Sequence, residues 1–183
     1  GTGLVFSSDP KDWDGEGVTN VFGSPQQLRE SFGKKPFTTK LKNVFVGGDG
    51  LSDGLAEKLF KNFDNVMNTY GSTETSLVLI NKRYIDSKGS FETTTIWMDS
   101  EVQIMDESGN ELPIGQDGIV RIRNGYLATE HLNNPSATDR AFREGWFYPG
   151  DIGLITKEGD FVATGRSSDI FNVGGVKTNA ALI

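Results

Sequence analysis

Apolar positions follow two different periods along this chain, and the change between them sets its expected organisation. In the first stretch Leu51, Leu55, Leu59 and Phe63 recur every four residues. That is the spacing of one helical face, and it predicts a helix over roughly Ser52–Phe63. A shorter helix is predicted ahead of it. There Ser24 caps, Pro25 suits the first helical position and Gln27 completes a capping box, while Leu28 and Phe32 share a face and Gly33 stops the helix. Between the two helices, residues 43–47 (NVFVG) read as a short buried strand leading into a loop of Gly47, Gly48, Asp49 and Gly50. Val66 to Tyr70 begins another strand. Strand, loop, helix and strand in that order form a βαβ unit, so the first part is expected to be an α/β segment with parallel strands.

After about Ile85 the period shortens to two. Val102 and Ile104, then Val120 and Ile122, alternate with Glu101, Gln103, Arg121 and Arg123, which marks half-buried antiparallel strands. Ser108-Gly109-Asn110 predicts one turn within Asp106–Glu111, whose oxygen spacing does not fit a Ca²⁺ loop. Glu158-Gly159-Asp160 predicts a second turn, between strands at Gly153–Ile155 and Phe161–Thr164. Asn134 as cap and Pro135 in the first turn begin a short helix. The second part is therefore expected to be a small antiparallel β-barrel-like lobe, with the boundary in Asp86–Ser90 or shortly after. Leu4–Phe6 reads as a strand entering from a neighbour, and Ala180–Ile183 ends in an apolar run, so both ends read as cut.

Composition narrows the chemistry. The formal charge is −7 over 183 residues, which argues against nucleic acid or an anionic membrane as a partner through net charge. There is no Cys and a single His, which excludes a disulfide framework, a thiolate metal site and a His-based metal site. His131 reads as a surface loop residue, and Phe91, Ile96 and Trp97 read as core rather than as a pocket lining. No apolar run approaches membrane-spanning length and no leader is visible, so a cytoplasmic location is expected. No Gly-x-Ser-x-Gly elbow is present, which counts against an α/β-hydrolase.

Three clusters carry candidate chemistry. In Tyr70-Gly71-Ser72-Thr73-Glu74-Thr75, Gly71 lets backbone approach a ligand and Ser72 and Thr73 offer hydroxyls to phosphate oxygens. Glu74 offers a Mg²⁺ ligand and Tyr70 a flat face for a base; a polar turn without a ligand is the plain alternative. In Tyr148-Pro149-Gly150-Asp151, the Asp151 carboxylate suits a ribose diol, or it caps a turn. In the third, Gly165-Arg166 precedes Asn172-Val173-Gly174-Gly175-Val176-Lys177; Arg166 suits phosphate or ribose oxygens, or a surface ion pair.

In this order and at these separations the clusters resemble the adenylate-forming superfamily of acyl- and aryl-CoA ligases, luciferases and peptide-synthetase adenylation domains. Tyr70–Glu74 is similar to its Tyr-Gly-x-Thr-Glu motif, residues 145–151 (GWFYPGD) to its Gly-Trp…Thr-Gly-Asp motif, and Gly165–Lys177 to its hinge motif. Gly47-Gly48-Asp49-Gly50 resembles its adenine loop. The chain departs from the pattern at Pro149, where the family has Thr, at Ser168, where the hinge has Asp or Lys, and at Asp49-Gly50, where it has Glu-Pro.

The resemblance implies that Gly47, Gly48, Asp49, Tyr70, Gly71, Ser72, Thr73, Asp151 and Arg166 bind AMP. Gly47–Asp49 and Tyr70 would sandwich the adenine, Asp151 would grip the ribose and Arg166 would support ribose or phosphate. Thr73 and Glu74 would be catalytic, with Glu74 holding Mg²⁺. Ser168 would be the hinge position and Gly174, Gly175 and Lys177 the hinge loop on the coenzyme A side. Three regions follow: residues 1–90 with the adenine loop, 91–164 with the Gly-Asp motif, and 165–183 as hinge and start of a further domain. The implied parent is an ATP-dependent acid–CoA ligase. It would join a fatty or other small carboxylic acid to ATP as acyl-adenylate and pass it to coenzyme A. A peptide-synthetase adenylation domain and a truncated non-catalytic interaction module are the alternatives. The family's phosphate-holding Lys loop would lie before Gly1 and its catalytic Lys after Ile183, so missing N- and C-terminal parts of the same enzyme are expected partners. The 183-residue chain alone is then expected to release no pyrophosphate from ATP and a carboxylic acid, and release in a coupled pyrophosphate assay would overturn this.

Overall fold

The computed structural model describes residues 13, 17–32, 39–86, 89–96, 99–173 and 176–179. The readings at Leu4–Phe6, Gly33, Trp97, Gly174, Gly175 and 180–183 lie outside them, as do the side chains of Phe91, Ile96 and Lys177. The chain divides into two compact units, one of residues 1–71 and 77–95, the other of residues 72–76 and 96–183.

The first unit opens with β1 (Asn20–Gly23), α1 (Pro25–Phe32), β2 (Leu41–Gly47), α2 (Asp53–Phe60) and β3 (Phe63–Ser72). β1 pairs parallel with β2, and β2 parallel with β3, so the expected βαβ unit is present and a second one precedes it. The capping box forms as read: Gln27 Oε1 accepts from the Ser24 N–H at 2.9 Å, and Ser24 Oγ accepts from the Gln27 N–H at 3.3 Å. α2 is shorter than its periodicity predicts. It ends at Phe60 because Asn62 turns the chain, its N–H donating to Leu59 O and its side-chain amide to Lys58 O. Phe63 therefore starts β3 instead of extending the helix, although it stays fully buried with Leu55 and Leu59.

One sheet face is closed by the helices. Val44, Val46 and Val66 are wholly buried there with Ala56, Leu59 and Phe63. On the other face a ladder of asparagines crosses the parallel strands in register. Asn43 donates to Asn20 Oδ1 at 2.7 Å, and Asn65 donates to Asn43 Oδ1 at 2.9 Å. A one-residue slip would break this ladder and turn the valines outward. β4 (Ser76–Asp86) and β5 (Gly89–Ile96) extend the sheet to the order β1-β2-β3-β4-β5. The sequence shows little sign of them, because polar and charged residues interrupt the apolar run from Asn81 onward.

The second unit contains β6 (Glu101–Met105), β7 (Gly118–Arg123), α3 (Pro135–Ala141), β8 (Phe142–Arg143), β9 (Trp146–Phe147), β10 (Asp151–Ile155) and β11 (Phe161–Arg166). The period-two residues pair as expected: Glu101 faces Arg123, Val102 Ile122, Gln103 Arg121 and Ile104 Val120, antiparallel. The barrel-like expectation needs correction. The sheet runs β11-β10-β7-β9-β8 with β6 also on β7, and among the described residues it does not close. β7 meets β10 through Gly118 and Ile119 and β9 through Ile122, so two short strands share one edge where a closed barrel needs a continuous ladder. α3 starts as read, with Asn134 Oδ1 accepting from the Ala137 N–H. After β11 come a 3₁₀ turn (Ser167–Asp169) and a two-stranded antiparallel sheet of β12 (Ile170–Val173) and β13 (Val176–Asn179).

The turn after β6 is the expected hairpin. Asp106 Oδ1 accepts from the N–H groups of Ser108 and Asn110, and Oδ2 from the Asn110 side chain. These donors, those of Asn110 first, hold its carboxyl below the ordinary value. A depressed folded-state value contributes stability that is present above the unfolded value and lost as pH falls through the folded one. Below about pH 4 the native chain should therefore lose stability faster than Asp106→Asn, and parallel curves in acid denaturant melts would contradict this.

Candidate functional site

In the first unit, the loop Gly47–Asp49 and Tyr70 lie at the carboxyl ends of adjacent parallel strands, since Gly47 stands opposite Thr69 in register. Ligands of open α/β sheets bind outside such strand ends. The two glycines are there for different reasons. A Cβ on Gly47 would come 2.6 Å from Thr69 Oγ1, itself fixed by donation to Val46 O at 3.0 Å. Gly48 has φ +85, which L side chains rarely adopt. Asp49 is exposed and accepts from the Gly50 N–H at 2.7 Å. Tyr70 is half-buried and engaged in a further interaction, while Gly71 is exposed. Asn68, two residues before Tyr70, has a buried Oδ1 without a hydrogen-bond partner among the described residues; no periodicity marks it.

In the second unit, residues 72–75 form a tight turn. Ser72 Oγ is held against Thr75, 3.3 Å from its N–H and 3.2 Å from its hydroxyl, so that oxygen is engaged within the turn. Thr73 is exposed, and Thr75 is wholly buried. Ser76 closes the turn at φ +58, a conformation that costs a non-glycine residue energy. The segment after β7 brackets the turn. Asn124 donates its amide to Thr75 O at 2.8 Å and to Ser100 Oγ at 3.2 Å, and the Ala128 N–H donates to Glu74 O at 2.8 Å. Sequence reasoning missed Asn124, because its partners lie 24 and 49 residues away.

Glu74 is three-quarters buried, with Oε1 3.8 Å from His131 Nδ1. His131 is thus not the surface residue expected. It is half-buried, edge-on to Phe142 at 5.3 Å, with its N–H donating to Thr138 Oγ1. Among the described residues no three His, Cys, Asp or Glu gather to hold a metal. Glu74 fits Mg²⁺ only as one carboxylate completing a shell of phosphate oxygens and water, the usual mode of that ion.

Asp151 and Arg166, separated in sequence, are cross-strand partners on β10 and β11. Arg166 Nε lies 2.9 Å from Asp151 Oδ1, with the carboxylate buried and the guanidinium exposed. Arg166 also donates to Pro149 O at 3.1 Å, and Ser167 donates both its N–H and its hydroxyl to Gly150 O. The Pro149-Gly150-Asp151 turn is thereby tied to the start of the predicted hinge. Ser168 is exposed and donates to Asp169 Oδ1, and Lys177 stands opposite Asn172 in the β12–β13 pair.

Comparison with known proteins identifies the class. The profile of the family described as AMP-binding enzyme matches residues 5–131, well over half of the chain. The chain belongs to that family of adenylate-forming ligases. It is 26% identical over 164 residues to a 3-hydroxybenzoate–CoA/4-hydroxybenzoate–CoA ligase from Thauera aromatica, covering 86% of this chain and 31% of that protein. It is 28% identical over 156 residues to a mitochondrial acyl-coenzyme A synthetase from Rattus norvegicus, covering 79% and 27%. A D-alanine–D-alanyl carrier protein ligase from Bacillus velezensis is 32% identical over 129 residues, covering 65% and 25%. The chain thus spans less than a third of the length of these relatives. The fold is shared with O-succinylbenzoate coenzyme A synthetase from Bacillus subtilis, solved with ATP and magnesium ion: TM-score 0.79 at 20% identity, over 95% of this chain and 37% of that one.

Gly47→Ala should destabilise the chain by about 1–3 kcal/mol in urea melts. Combined with Thr69→Ala it should cost less than the sum of the two single changes, because the colliding oxygen is then gone. Strict additivity would mean that the close approach to Thr69 is not what requires glycine.

Proposed function

We propose that this chain is the nucleotide-holding part of an ATP-dependent acid–CoA ligase. Membership of the AMP-binding enzymes supports a ligase that passes through an acyl-adenylate, and the coenzyme A ligases among its relatives support coenzyme A as acceptor. The observation that carries the reading is the Asp151–Arg166 pair. A buried carboxylate at the head of a strand, oriented by a guanidinium that is itself exposed, suits a pair of vicinal hydroxyls better than it suits a plain turn cap.

In this reading Asp151 takes the ribose hydroxyls and Arg166 keeps that carboxylate oriented. Gly47, Gly48 and Asp49 with Tyr70 take the adenine, the glycines by allowing close backbone approach. Gly71 gives the same freedom beside the Ser72 turn, and the exposed Thr73 hydroxyl donates to a phosphate oxygen. Glu74 is the carboxylate for Mg²⁺, which when bound neutralises charge on the phosphates. The carboxylate oxygen of the acid attacks the α-phosphorus of ATP, a P–O bond breaks, and pyrophosphate leaves. Coenzyme A thiol then displaces AMP. Ser168 and the Gly174-Gly175-Lys177 loop belong to a hinge toward a further domain. The carrier-protein ligase among the relatives favours a second reading, with a phosphopantetheine thiol as acceptor and the same first half-reaction.

AMP titration followed by amide NMR tests the nucleotide assignment. Shifts should cluster at Gly47–Asp49, Tyr70–Glu74 and Asp151, and Asp151→Ala should weaken binding about tenfold or more, as expected for loss of a charged hydrogen-bond acceptor. A folded spectrum with no shifts would remove the nucleotide reading and leave a non-catalytic interaction module.

A further inference from the structure

We propose that the outer face of the β7, β9 and β8 strands is a binding surface for a phosphate or diphosphate group, built from Arg121, Arg123 and Arg143 around Trp146 and Tyr148. The surface lies wholly within the second unit and does not depend on the nucleotide assignment. Arg121 and Arg123 are two residues apart on β7 and so share a face. The Glu144-Gly145 turn, with φ +51 and +77, has the left-handed shape of a two-residue hairpin turn and sets Arg143 opposite Trp146. The guanidinium carbons of Arg121 and Arg123 lie 4.4 and 4.5 Å from the Trp146 ring centroid, and that of Arg143 lies 3.7 Å from the Tyr148 ring.

Stacking occupies guanidinium faces and leaves in-plane N–H donors for other partners. Those donors are unequally satisfied. Arg123 is paired with Glu101 at 2.6 Å. Arg121, on the adjacent rung of the same ladder, meets only neutral acceptors: Gln103 Oε1 accepts from both Nε at 2.8 Å and Nη2 at 2.5 Å, and the Tyr148 hydroxyl lies 3.5 Å from Nη1, which leaves the second N–H groups of Nη1 and Nη2 for a ligand. Arg143 has no ion pair among the described residues, and Glu144 is the nearest acidic residue to it in sequence. Three guanidinium groups thus share one face with one paired carboxylate, in a chain whose formal charge is −7.

The plain alternative is that the arginines only cover Trp146, which is 7% exposed. Stacking of that kind contributes roughly 0.5–1 kcal/mol per pair at exposed sites. It accounts for the ring contacts but not for a glutamine opposite Arg121 where the next rung has a glutamate. A neutral partner orients the guanidinium fork without cancelling its charge. Pre-oriented, unneutralised forks on a low-entropy aromatic platform are suited to bidentate recognition of phosphate oxygens.

The test titrates inorganic pyrophosphate, and separately ADP, into the 183-residue chain at constant ionic strength, following the arginine Nε–H and Trp146 indole N–H signals. Saturable shifts at Arg121, Arg143 and Trp146 are expected. Pyrophosphate alone producing them would indicate a free diphosphate, and ADP binding more tightly at the same signals would indicate a nucleotide-borne one. Gln103→Glu keeps every arginine and every stack but supplies a competing carboxylate, and should weaken pyrophosphate binding about tenfold or more. Glu101→Gln frees Arg123 and should tighten it severalfold. The proposal fails if sodium chloride reproduces the shifts, if they fall elsewhere, or if the two substitutions leave affinity unchanged in folded protein.

Discussion

The parallel pairing of β2 with β3 is the constraint on which the first unit depends. Two parallel strands cannot be joined by a tight turn, so the chain must cross over one sheet face, and α2 is that crossover. Val44, Val46 and Val66 on that face are then sealed from water by Leu55, Ala56 and Leu59. At about 25 cal/mol per Å² of apolar surface, such burial is the main favourable contribution here. It adds no directional information, however. Direction comes from the Asn20–Asn43–Asn65 ladder on the opposite face, which is satisfied in one register only. Fixing the register fixes where both strands end, and hence that Gly47 and Tyr70 emerge beside one another.

A different device governs the second unit. Its strands are short, and β9 and β10 meet β7 over only one and two residue pairs. Hydrogen bonds onto turn carbonyls, from side chains and from single backbone N–H groups, carry what long ladders carry elsewhere. Asn124 and Ala128 hold the carbonyls of Thr75 and Glu74, and Arg166 and Ser167 hold those of Pro149 and Gly150. Thr75 is wholly buried, and a buried carbonyl left without a donor would cost about 1–3 kcal/mol, so the Asn124 contact is a condition of that turn as well as a support for it. The residues proposed for phosphate, metal and ribose, Thr73, Glu74 and Asp151, sit on or beside turns held in this way.

Three arginines of this unit show how environment separates similar chemistry. Arg166 is exposed, yet its carboxylate partner Asp151 is buried, so the pair presents an oriented carboxylate. Arg123 and Glu101 are both about half exposed, and such pairs contribute little to stability. Arg121 has a neutral partner and keeps its charge available. Residue type alone does not distinguish these three cases.

Much of the architecture was legible because its causes are local. Capping at Ser24 and Asn134 and the alternation in β6 and β7 each depend on residues within one element and appeared where expected, and the period of four placed α2 except for its last turn. The motifs naming the family are local for the same reason, since backbone turns near a ligand require particular residues at fixed offsets. What the sequence left open depended on contacts between distant positions. The end of α2 was set by Asn62, and β4 and β5 were recruited by a neighbouring strand despite a weak pattern. The sheet of the second unit stayed open where a barrel was expected. His131 was drawn in against Phe142 and Glu74, and Asn124 reached the turn through partners 24 and 49 residues away. By itself, then, the sequence determined the capped helix starts, the alternating strands and the βαβ order, which follow from short-range sterics and hydrophobic period, and its motifs carried the resemblance to the family. Only the tertiary structure decided which polar groups find partners and which charges stay unpaired, because that depends on the neighbours that folding supplies.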